Sequence, residues 1–350
     1  MADMAALNYA KEYEAALLQQ FPYVLYFGAL YATPNNGRYR WVNSQVIEVP
    51  TIKTSGRKDG DRDTIGTKKR NYTNSWTPLT VSNHRTWGTL VHPRDIQETN
   101  QVASIANITR VFNEEQKFPE MNAYLVSKLY ADYVAAGKTA DTTGLTTENV
   151  LEKIDAMMTH MDNKRVPRVG RILYVTPDTR TIIQNAKAIV RYMDVSTQSE
   201  AVKRAISALD ELIIPPSVPT DMMQTLYDFT EGWEIADGAK QINMMMVHPN
   251  AVITPVNYEF ARLDAPSAGS EGKWDYFEES FEDVFLLPGR EDAIAFNIGT
   301  ATTVTYEAVT NPTGNPAEQG WYEKVSGSYV LTEDTTVDSN KTYYVRKVGA

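Results

Sequence analysis

Three groups of residues in this chain have types and spacings that are able to do chemistry, and the first is Gly137-Lys138-Thr139. This tripeptide matches the end of a phosphate-binding loop, in which glycines let backbone N–H groups surround a phosphate and a lysine neutralises it. Asp132 stands where the first glycine of that motif belongs. The preceding pattern is also helical, whereas the motif follows a strand. The spacing therefore argues against a nucleotide site.

The second group is Asp59-Gly60-Asp61-Arg62-Asp63, whose carboxylates alternate as they do in a calcium-binding loop. Such a loop also needs a glycine at its sixth position and a bidentate glutamate at its twelfth. Thr64 and Arg70 occupy those positions, and lysines crowd the segment. We therefore expect no calcium site here.

The third group comprises the histidines, which are not paired at metal-ligand spacings. They are His84, His92, His160 and His248. The chain has no cysteine, which excludes thiolate zinc sites, disulfides and thiol nucleophiles. It has no G-x-S-x-G or G-x-G-x-x-G motif. The neighbouring Glu278 and Glu279 are interpreted first as part of a solvated or interface acidic face, and the alternative is a buried pair of glycosidase type. We predict no enzyme, no bound cofactor and no metal.

Composition indicates a folded protein. The chain has 350 residues, of which 42% are hydrophobic and 22% charged, enough for two domains with a sizeable core. A net charge of −10 argues against a general nucleic-acid binder. The N-terminus lacks a basic region, and the apolar stretch 21–32 is interrupted by Pro22 and Gly28, far short of the roughly 18 residues of a membrane span. We expect a soluble protein with no membrane partner, made in a reducing cytosol.

Charge is segregated along the chain. Residues 53–70 hold seven basic residues against three acidic ones, a local charge of +4, whereas residues 259–292 hold ten carboxylates against three basic residues, a local charge of −7. If the two segments belong to different copies of the chain, their attraction would steer association and set its register. Two solvated surfaces without mutual contact are the alternative.

The basic segment lies at the tip of a predicted β-hairpin over residues 43–91. Alternating β-branched residues predict one strand over 45–52, and aromatic and apolar residues predict the returning strand over 71–81. Gly56, Gly60 and Gly66 punctuate the tip. Because an isolated pair of strands is marginally stable in water, we expect this arm to dock on another molecule.

The remaining pattern is mixed α+β. Apolar spacing predicts a helix over Leu7 to Gln20, a helix from an N-cap at Asp95 to about Glu115, and a helix that starts at Pro119 and stops at Gly137. Further helices are expected over about 147–161 and 177–188. Strands are expected over 171–175, 206–214, 244–247, 251–256 and within the acidic, aromatic region 274–298.

Four stretches resemble the major capsid proteins of tailed bacteriophages with the HK97 fold. They are Asp95-Ile96-Gln97-Glu98-Thr99-Asn100; Phe118-Pro119-Glu120-Met121-Asn122-Ala123-Tyr124 leading to Ser127-Lys128-Leu129; His248-Pro249-Asn250-Ala251-Val252; and Asp283-Val284-Phe285-Leu286-Leu287 followed by Ala293-Ile294-Ala295-Phe296-Asn297. No single stretch is diagnostic, but together they follow the order of the family over about residues 1–300.

The resemblance implies a coat domain over 1–302 with five parts. These are an N-arm over about 1–36, an E-loop over about 43–91, a spine helix over about 118–136 in a peripheral domain, either alone or extended by the helix before it, an axial domain over about 141–244, and peripheral strands over about 245–302. In that family the N-arm and the E-loop lie on neighbouring subunits.

The resemblance and the charge pattern together predict the contact residues. On the E-loop they are Lys53, Arg57, Lys58, Arg62, Lys68, Lys69, Arg70 and Trp76. On an acidic peripheral face they are Glu278, Glu279, Glu282 and Asp283. The spine helix would carry Pro119, Glu120, Tyr124, Leu125 and Leu129.

The implied function is self-assembly, as hexamers and pentamers, into an icosahedral shell that encloses double-stranded DNA without sequence-specific binding. The shell would form in the bacterial host cytoplasm and become the virion capsid. Relatives often carry a scaffolding segment before the N-arm, for which this sequence leaves no room, so the shell would need a separate scaffolding protein or none. A separate scaffolding protein is expected as a partner, together with a portal. We predict no Lys–Asn crosslink, because nothing in the sequence identifies the partners of the arm lysines. A bacterial encapsulin nanocompartment shell is the alternative, followed by a carbohydrate-binding or hydrolytic protein.

Residues 303–350 change character, since Thr, Val and Tyr dominate them. A turn-rich linker over 311–316 and three or four short strands over 320–347 predict a small all-β accessory domain. An extension that only braces the coat domain or a neighbour is the alternative. We expect its aromatic residues to form its core, and a binding surface for glycans is the less favoured alternative. These residues are Trp321, Tyr322, Tyr329, Tyr343 and Tyr344.

Overall fold

The structure, a computed structural model, describes residues 24–57, 59, 70–98, 105–186, 208–209, 212–230, 232–301, 303–310, 312–317, 319–325, 328–338 and 341–349. The helix predicted over Leu7 to Gln20 lies outside the described residues. So do Lys58, Arg62, Lys68 and Lys69 of the predicted arm tip, and most of the alternating aspartate motif.

The fold is α+β. Its helices are α1 (Gly28–Tyr31), α2 (Pro93–Glu98), α3 (Ile105–Phe112), α4 (Phe118–Ala135), α5 (Val150–Asn163) and α6 (Pro177–Gln184). Its strands are β1 (Arg40–Trp41), β2 (Val46–Thr54), β3 (Tyr72–Thr80), β4 (Asn83–Val91), β5 (Ile172–Val175), β6 (Ala208–Leu209), β7 (Leu212–Ile213), β8 (Tyr227–Asp228), β9 (Glu234–Ile235), β10 (Lys240–Val247), β11 (Val252–Ile253), β12 (Val256–Asp264), β13 (Trp274–Glu282), β14 (Phe285–Leu286), β15 (Ile294–Ala301), β16 (Thr303–Ala308), β17 (Tyr322–Val325), β18 (Ser328–Leu331) and β19 (Tyr343–Gly349).

The core is built around a five-stranded sheet in the order β15-β10-β5-β7-β6. Successive side chains of a strand point to opposite faces, so this sheet supplies two hydrophobic clusters. Tyr174 and Met245 lie in the cluster that includes α4, whereas Leu173 and Met244 lie in the cluster that includes α5 and α6. Because helices cover both faces, the strand sequences are continuously apolar instead of alternating.

The sheet corrects two predicted boundaries. β10 runs from Lys240 to Val247 and pairs with β15, so it starts four residues before the strand predicted over 244–247. The approximate division expected near residue 244 falls within this strand. The single strand expected over 206–214 is wrong. Its described residues form two short antiparallel strands, β6 and β7.

The predicted spine helix has the longer of the two extents that the sequence left open. α3 and α4 are joined by a π turn over Asn113–Lys117, so helical backbone is continuous from Ile105 to Ala135. Pro119 therefore does not start a separate helix, contrary to the prediction. Proline cannot donate to the carbonyl four residues earlier and would clash with it, and the π turn directly before Pro119 accommodates this defect.

Two other helix ends have clear physical causes. Asp95 is not an N-cap, because α2 begins at Pro93 and Asp95 lies in its first turn, where the helix dipole favours a carboxylate. α4 ends at Ala135 and is terminated by Gly137, whose φ of 75° is easily adopted by glycine. The Lys138 N–H donates to the Tyr133 carbonyl at 3.2 Å, so Gly137-Lys138-Thr139 terminates a helix instead of forming a phosphate loop.

The predicted hairpin is confirmed as an antiparallel pair. β2 and β3 pair from Val46↔Thr80 at the base to Thr54↔Tyr72 at the far end, and β1 adds a short third strand. The base is anchored by Ile47 and Val81, which pack with Ile253, Phe285 and Leu287 in a third hydrophobic cluster.

The predicted extent of the hairpin, to Val91, is wrong. β4 pairs with β13 over its whole length, from Asn83↔Glu282 to Val91↔Trp274, and forms the separate sheet β12-β13-β4. Strand β4, which follows the arm in sequence, thus connects the basic arm to the acidic strand β13 within one chain. The sequence analysis assigned β4 to the hairpin and not to this sheet.

Residues 303–349 form a four-stranded sheet in the order β16-β19-β17-β18. Trp321, Tyr322 and Tyr343 are buried, which confirms the predicted aromatic core for these three residues, whereas Tyr329 and Tyr344 are half-buried. The sheet contacts the rest of the chain at Glu234, which accepts a hydrogen bond from the Tyr322 hydroxyl at 2.7 Å and lies 3.2 Å from the Arg346 guanidinium.

Candidate assembly surface

The β2–β3 arm projects from the body of the molecule. Exposure increases along β2: Ile47 is fully buried at the base, whereas Ile52 is 71% exposed. Tyr72, at the start of β3, is 51% exposed. Apolar side chains of this size on an arm without a core are typical of a surface that another molecule covers.

The described cations of the arm are available for contact. Lys53, Arg57 and Arg70 are exposed, and in the described part of the chain neither Lys53 nor Arg57 has an ion-pair partner. The Arg70 guanidinium lies 5.5 Å from the centre of the Tyr72 ring. Among the described residues, Lys53 and Arg57 therefore leave positive charge available to an acidic partner.

Trp76 lies halfway along β3 and is 39% exposed. The Arg40 guanidinium stacks on its ring at 3.9 Å and is held by Glu48 at 2.8 Å. A guanidinium on an indole is a favourable cation–π contact that fixes the ring. Trp76 thus presents a preorganised aromatic surface on the arm.

The predicted acidic face is mostly engaged within the chain. Glu278 lies 3.1 Å from Lys117 on the π turn, and Glu279 lies 2.6 Å from His84 on β4. Glu279 remains more accessible than Glu278, with 28% against 14% of its side chain exposed. Attraction between acidic β13 and basic groups therefore operates first inside one copy.

Asp283 is not part of an exposed face, so its prediction as a contact residue is wrong. It is 1% exposed and accepts hydrogen bonds from the Tyr124 hydroxyl at 2.7 Å and from the Ser82 and Val284 N–H groups, each at 2.8 Å. A buried carboxylate needs such donors, and these three join α4, the end of the arm and β13.

Glu282 differs from its acidic neighbours because, among the described residues, it has no ion-pair or side-chain hydrogen-bond partner. It borders a cavity of about 280 Å³ between the β4–β13 sheet and the long helix. Burial raises the pKa of Glu282, and although Lys117 opposes this shift, Glu259, Glu120 and Asp283 reinforce it. Burial also raises the pKa of Glu120, which Arg85 partly offsets from 2.5 Å.

The five residues predicted on the spine helix make contacts within the chain. Pro119, Leu125 and Leu129 are buried, the latter two in the cluster against the central sheet. Glu120 and Tyr124 fasten the helix to β4 and β13 through Arg85 and Asp283. The helix is therefore a joint between two sheets.

An exposed aromatic group on the β12–β13 sheet was not predicted from the sequence. Tyr258, Phe260 and Phe277 are 45%, 36% and 40% exposed, and the Phe260 and Phe277 ring centres lie 6.4 Å apart. The predicted strand stopped at residue 256. The alternate spacing of Tyr258 and Phe260 was the signal that would have extended it.

The histidines have protein partners. The ring of His160 lies 3.2 Å from Asp292, and His248 accepts from the Asn250 N–H at 3.1 Å. Burial lowers the pKa of His248. In the described ranges no group of three or more potential metal ligands occurs, and no helix combines the length and apolar character needed to cross a membrane.

Comparison with solved structures finds similarity to phage chains. No family model matches the chain, and no curated protein matches it. Among solved structures, a chain of the bacteriophage PhiM1 mature capsid is 13% identical with a TM-score of 0.60, covering 85% of this chain and 97% of that chain. A chain of Mycobacterium phage Che8 is 16% identical with a TM-score of 0.57, covering 84% and 98%. A chain of the capsid of cyanophage P-SCSP1u is 11% identical with a TM-score of 0.56, covering 83% and 93%. The chain therefore shares its fold with phage capsid chains.

Proposed function

We propose that this chain is the major capsid protein of a tailed bacteriophage, and that its copies assemble into the icosahedral shell around double-stranded DNA. The observation that carries the proposal is the shared fold with phage capsid chains, which extends over nearly their whole length. An arm with exposed apolar side chains supports it independently, because a projecting pair of strands is marginally stable in water and gains stability when another copy covers it.

In this proposal the β2–β3 arm is the E-loop and lies on a neighbouring subunit. Lys53, Arg57, Arg70 and the Arg40-stacked Trp76 supply its contacts, together with the tip residues Lys58, Arg62, Lys68 and Lys69. Glu279 is a better placed acidic acceptor than Glu278, since 28% of its side chain is exposed against 14%. Many weak contacts of this kind, repeated around a closed symmetric shell, act cooperatively.

The other capsid elements follow from the same proposal. Residues 1–36 act as the N-arm, the continuous helix 105–135 as the spine, and the central sheet with α5 and α6 as the core of the axial domain. Residues 303–349 form an accessory β-sheet held at Glu234. The acidic remainder of the chain limits adhesion to the packaged genome. A separate scaffolding protein and a portal are the remaining partners of the proposed shell.

Electron microscopy of the purified full-length protein tests the proposal. We expect capsomers or closed shells in negative stain, and nuclease-protected double-stranded DNA in particles isolated from bacteria that produce them. A monodisperse monomer at high concentration, with the arm folded on its own body, contradicts self-assembly. Particles that hold protein cargo instead of DNA contradict the genome-enclosing role.

A further inference from the structure

Strand β12 is an open edge of the β12-β13-β4 sheet. All nine of its residues, Val256 to Asp264, are exposed, whereas β4 at the other edge alternates between exposed and half-buried positions. Among the described residues, no other strand pairs with the free edge of β12. Proteins usually shield such an edge, because its unpaired N–H and C=O groups are a template for another strand.

The regular part of β12 is well suited to pairing. Its only irregularity lies between Val256 and Tyr258, so the residues 258–264 form an uninterrupted seven-residue ladder against β13. This segment contains no proline and no glycine. The centre of the segment is Ala261, whose methyl group allows close approach.

The two halves of this segment differ in chemistry. Tyr258 and Phe260 lie on one face, with parallel rings whose centres are 6.2 Å apart. Arg262 and Asp264 follow on the same face and form an ion pair at 2.5 Å. One half of the strand is therefore aromatic and the other half is ionic.

This arrangement is complementary to itself. If a second copy pairs antiparallel about a two-fold axis at Ala261, Phe260 lies opposite Arg262 of the partner subunit, and Tyr258 lies opposite Asp264 of the partner subunit. The first pair is a cation–π contact, and the second lets a phenol donate to a carboxylate. Each contact occurs twice because the interface is isologous, and every residue from 258 to 264 finds a partner in this register.

We infer that two copies of this chain join through their β12 edges, antiparallel and centred on Ala261, to form one six-stranded sheet. The inference rests on the proposed self-assembly and adds a contact that the arm does not make. It predicts which residue lies on a two-fold axis of the assembly.

The absence of native cysteine allows a direct test in the full-length protein. Two copies of Ala261→Cys would meet at the axis, where facing residues of paired strands lie within disulfide reach. Two copies of Tyr258→Cys, on the same exposed strand, would lie six residues apart, about 20 Å. After mild oxidation we expect at least about tenfold more disulfide-linked dimer from Ala261→Cys than from Tyr258→Cys. The double variant Tyr258→Cys/Asp264→Cys should also crosslink.

The outcomes separate this inference from the proposed function. Selective crosslinking at residue 261 supports the β12 pairing whether or not shells are seen. Shells without selective crosslinking at 261 overturn the pairing and leave the capsid role intact. Equal crosslinking at 258 and 261 overturns it as well, because equal yields indicate random collision or a different register.

Discussion

Tyr124 on the long helix donates a 2.7 Å hydrogen bond to Asp283, the buried carboxylate that follows strand β13. The same carboxylate accepts from the Ser82 N–H, where the arm returns to the body. One acidic side chain thus holds together the helix, the arm base and the sheet. Loss of a donor to Asp283 should therefore weaken the junction of all three.

Tyr124→Phe should destabilise the unassembled chain by about 1–3 kcal/mol, because it removes one donor from a buried charged acceptor. The free energy of unfolding from urea titration measures this effect. Tyr130→Phe is the matched control, since Tyr130 lies on the same helix against Phe296 and has no hydroxyl hydrogen bond among the described contacts. Equal losses in both variants would show that the Asp283 contact is not the cause.

Glu282→Gln should stabilise the chain at neutral pH, by of the order of 1 kcal/mol for a half-buried carboxylate without a partner. Because burial raises the pKa of Glu282, ionised Glu282 destabilises the folded state above its folded-state pKa. That penalty, and with it the advantage of glutamine, disappears as pH falls through the folded-state pKa to the ordinary glutamate value.

The control for this prediction is Glu278→Gln, which should destabilise because it breaks the ion pair with Lys117. Thermal unfolding of both variants between pH 4 and pH 8 provides the comparison. If Glu282→Gln destabilises the chain at neutral pH, the carboxylate has a stabilising partner and the prediction is wrong.

Gly137→Ala should cost about 1 kcal/mol, because the residue that ends α4 has a φ of 75°, which a side chain disfavours. No heavy atom lies within 4 Å of the position that a Cβ would take there, so strain and not collision is the cause. Gly144→Ala is the control: its surroundings are equally open and its φ is ordinary. A neutral result at both positions would remove the helix-terminating role of Gly137.

Lys53→Glu/Arg70→Glu should reduce the yield of assembled particles without changing the unfolding of the free chain. The reversal places acidic groups on the arm where the proposed neighbour is acidic, and like charges repel at close range. Lys240→Glu, an exposed lysine on β10, is the control. Particle yield is measured by sedimentation at two salt concentrations. Because salt screens the repulsion, the difference in yield between the charge-reversed variant and the unmodified chain should be smaller at the higher concentration.

Deleting residues 53–70 is the stronger version of the same experiment. Assembly should fail or be misdirected while the chain still folds, because the hydrophobic base of the arm at Ile47 and Val81 is retained. Normal shells from this deletion would contradict the role of the arm.

The local sequence pattern correctly predicted the strands whose apolar spacing directly reflects which of their faces are covered. Residues 172–175 and 244–247 are continuously apolar because both faces of their sheet are covered, and they were found as strands. The arm strands were found because β-branched and aromatic residues alternate beside a glycine-rich tip.

The errors arose where partners distant in sequence decide the structure. Residues 83–91 look like a continuation of the arm, yet they pair with β13, 183 to 199 positions later. Asp283 cannot be told from its acidic neighbours in sequence, and the donors that allow its burial include Ser82 and Tyr124, which are distant in the chain. Pro119 indicates a helix start by local rules, which do not anticipate a π turn.

The π turn at 113–117 also determines in which direction the side chains of α3 point relative to those of α4. It rotates α3 relative to α4 by about one residue, roughly 100°, so that Phe112 stacks on Trp87 of β4 while Leu125 and Leu129 point into the main core. The number of residues between Phe112 and the buried face that carries Leu125 and Leu129 is therefore critical. Removing a single amino acid from 113–117 would restore an ordinary helix and turn the Phe112 stripe away from its sheet, so this short stretch tolerates substitution far better than any change in length.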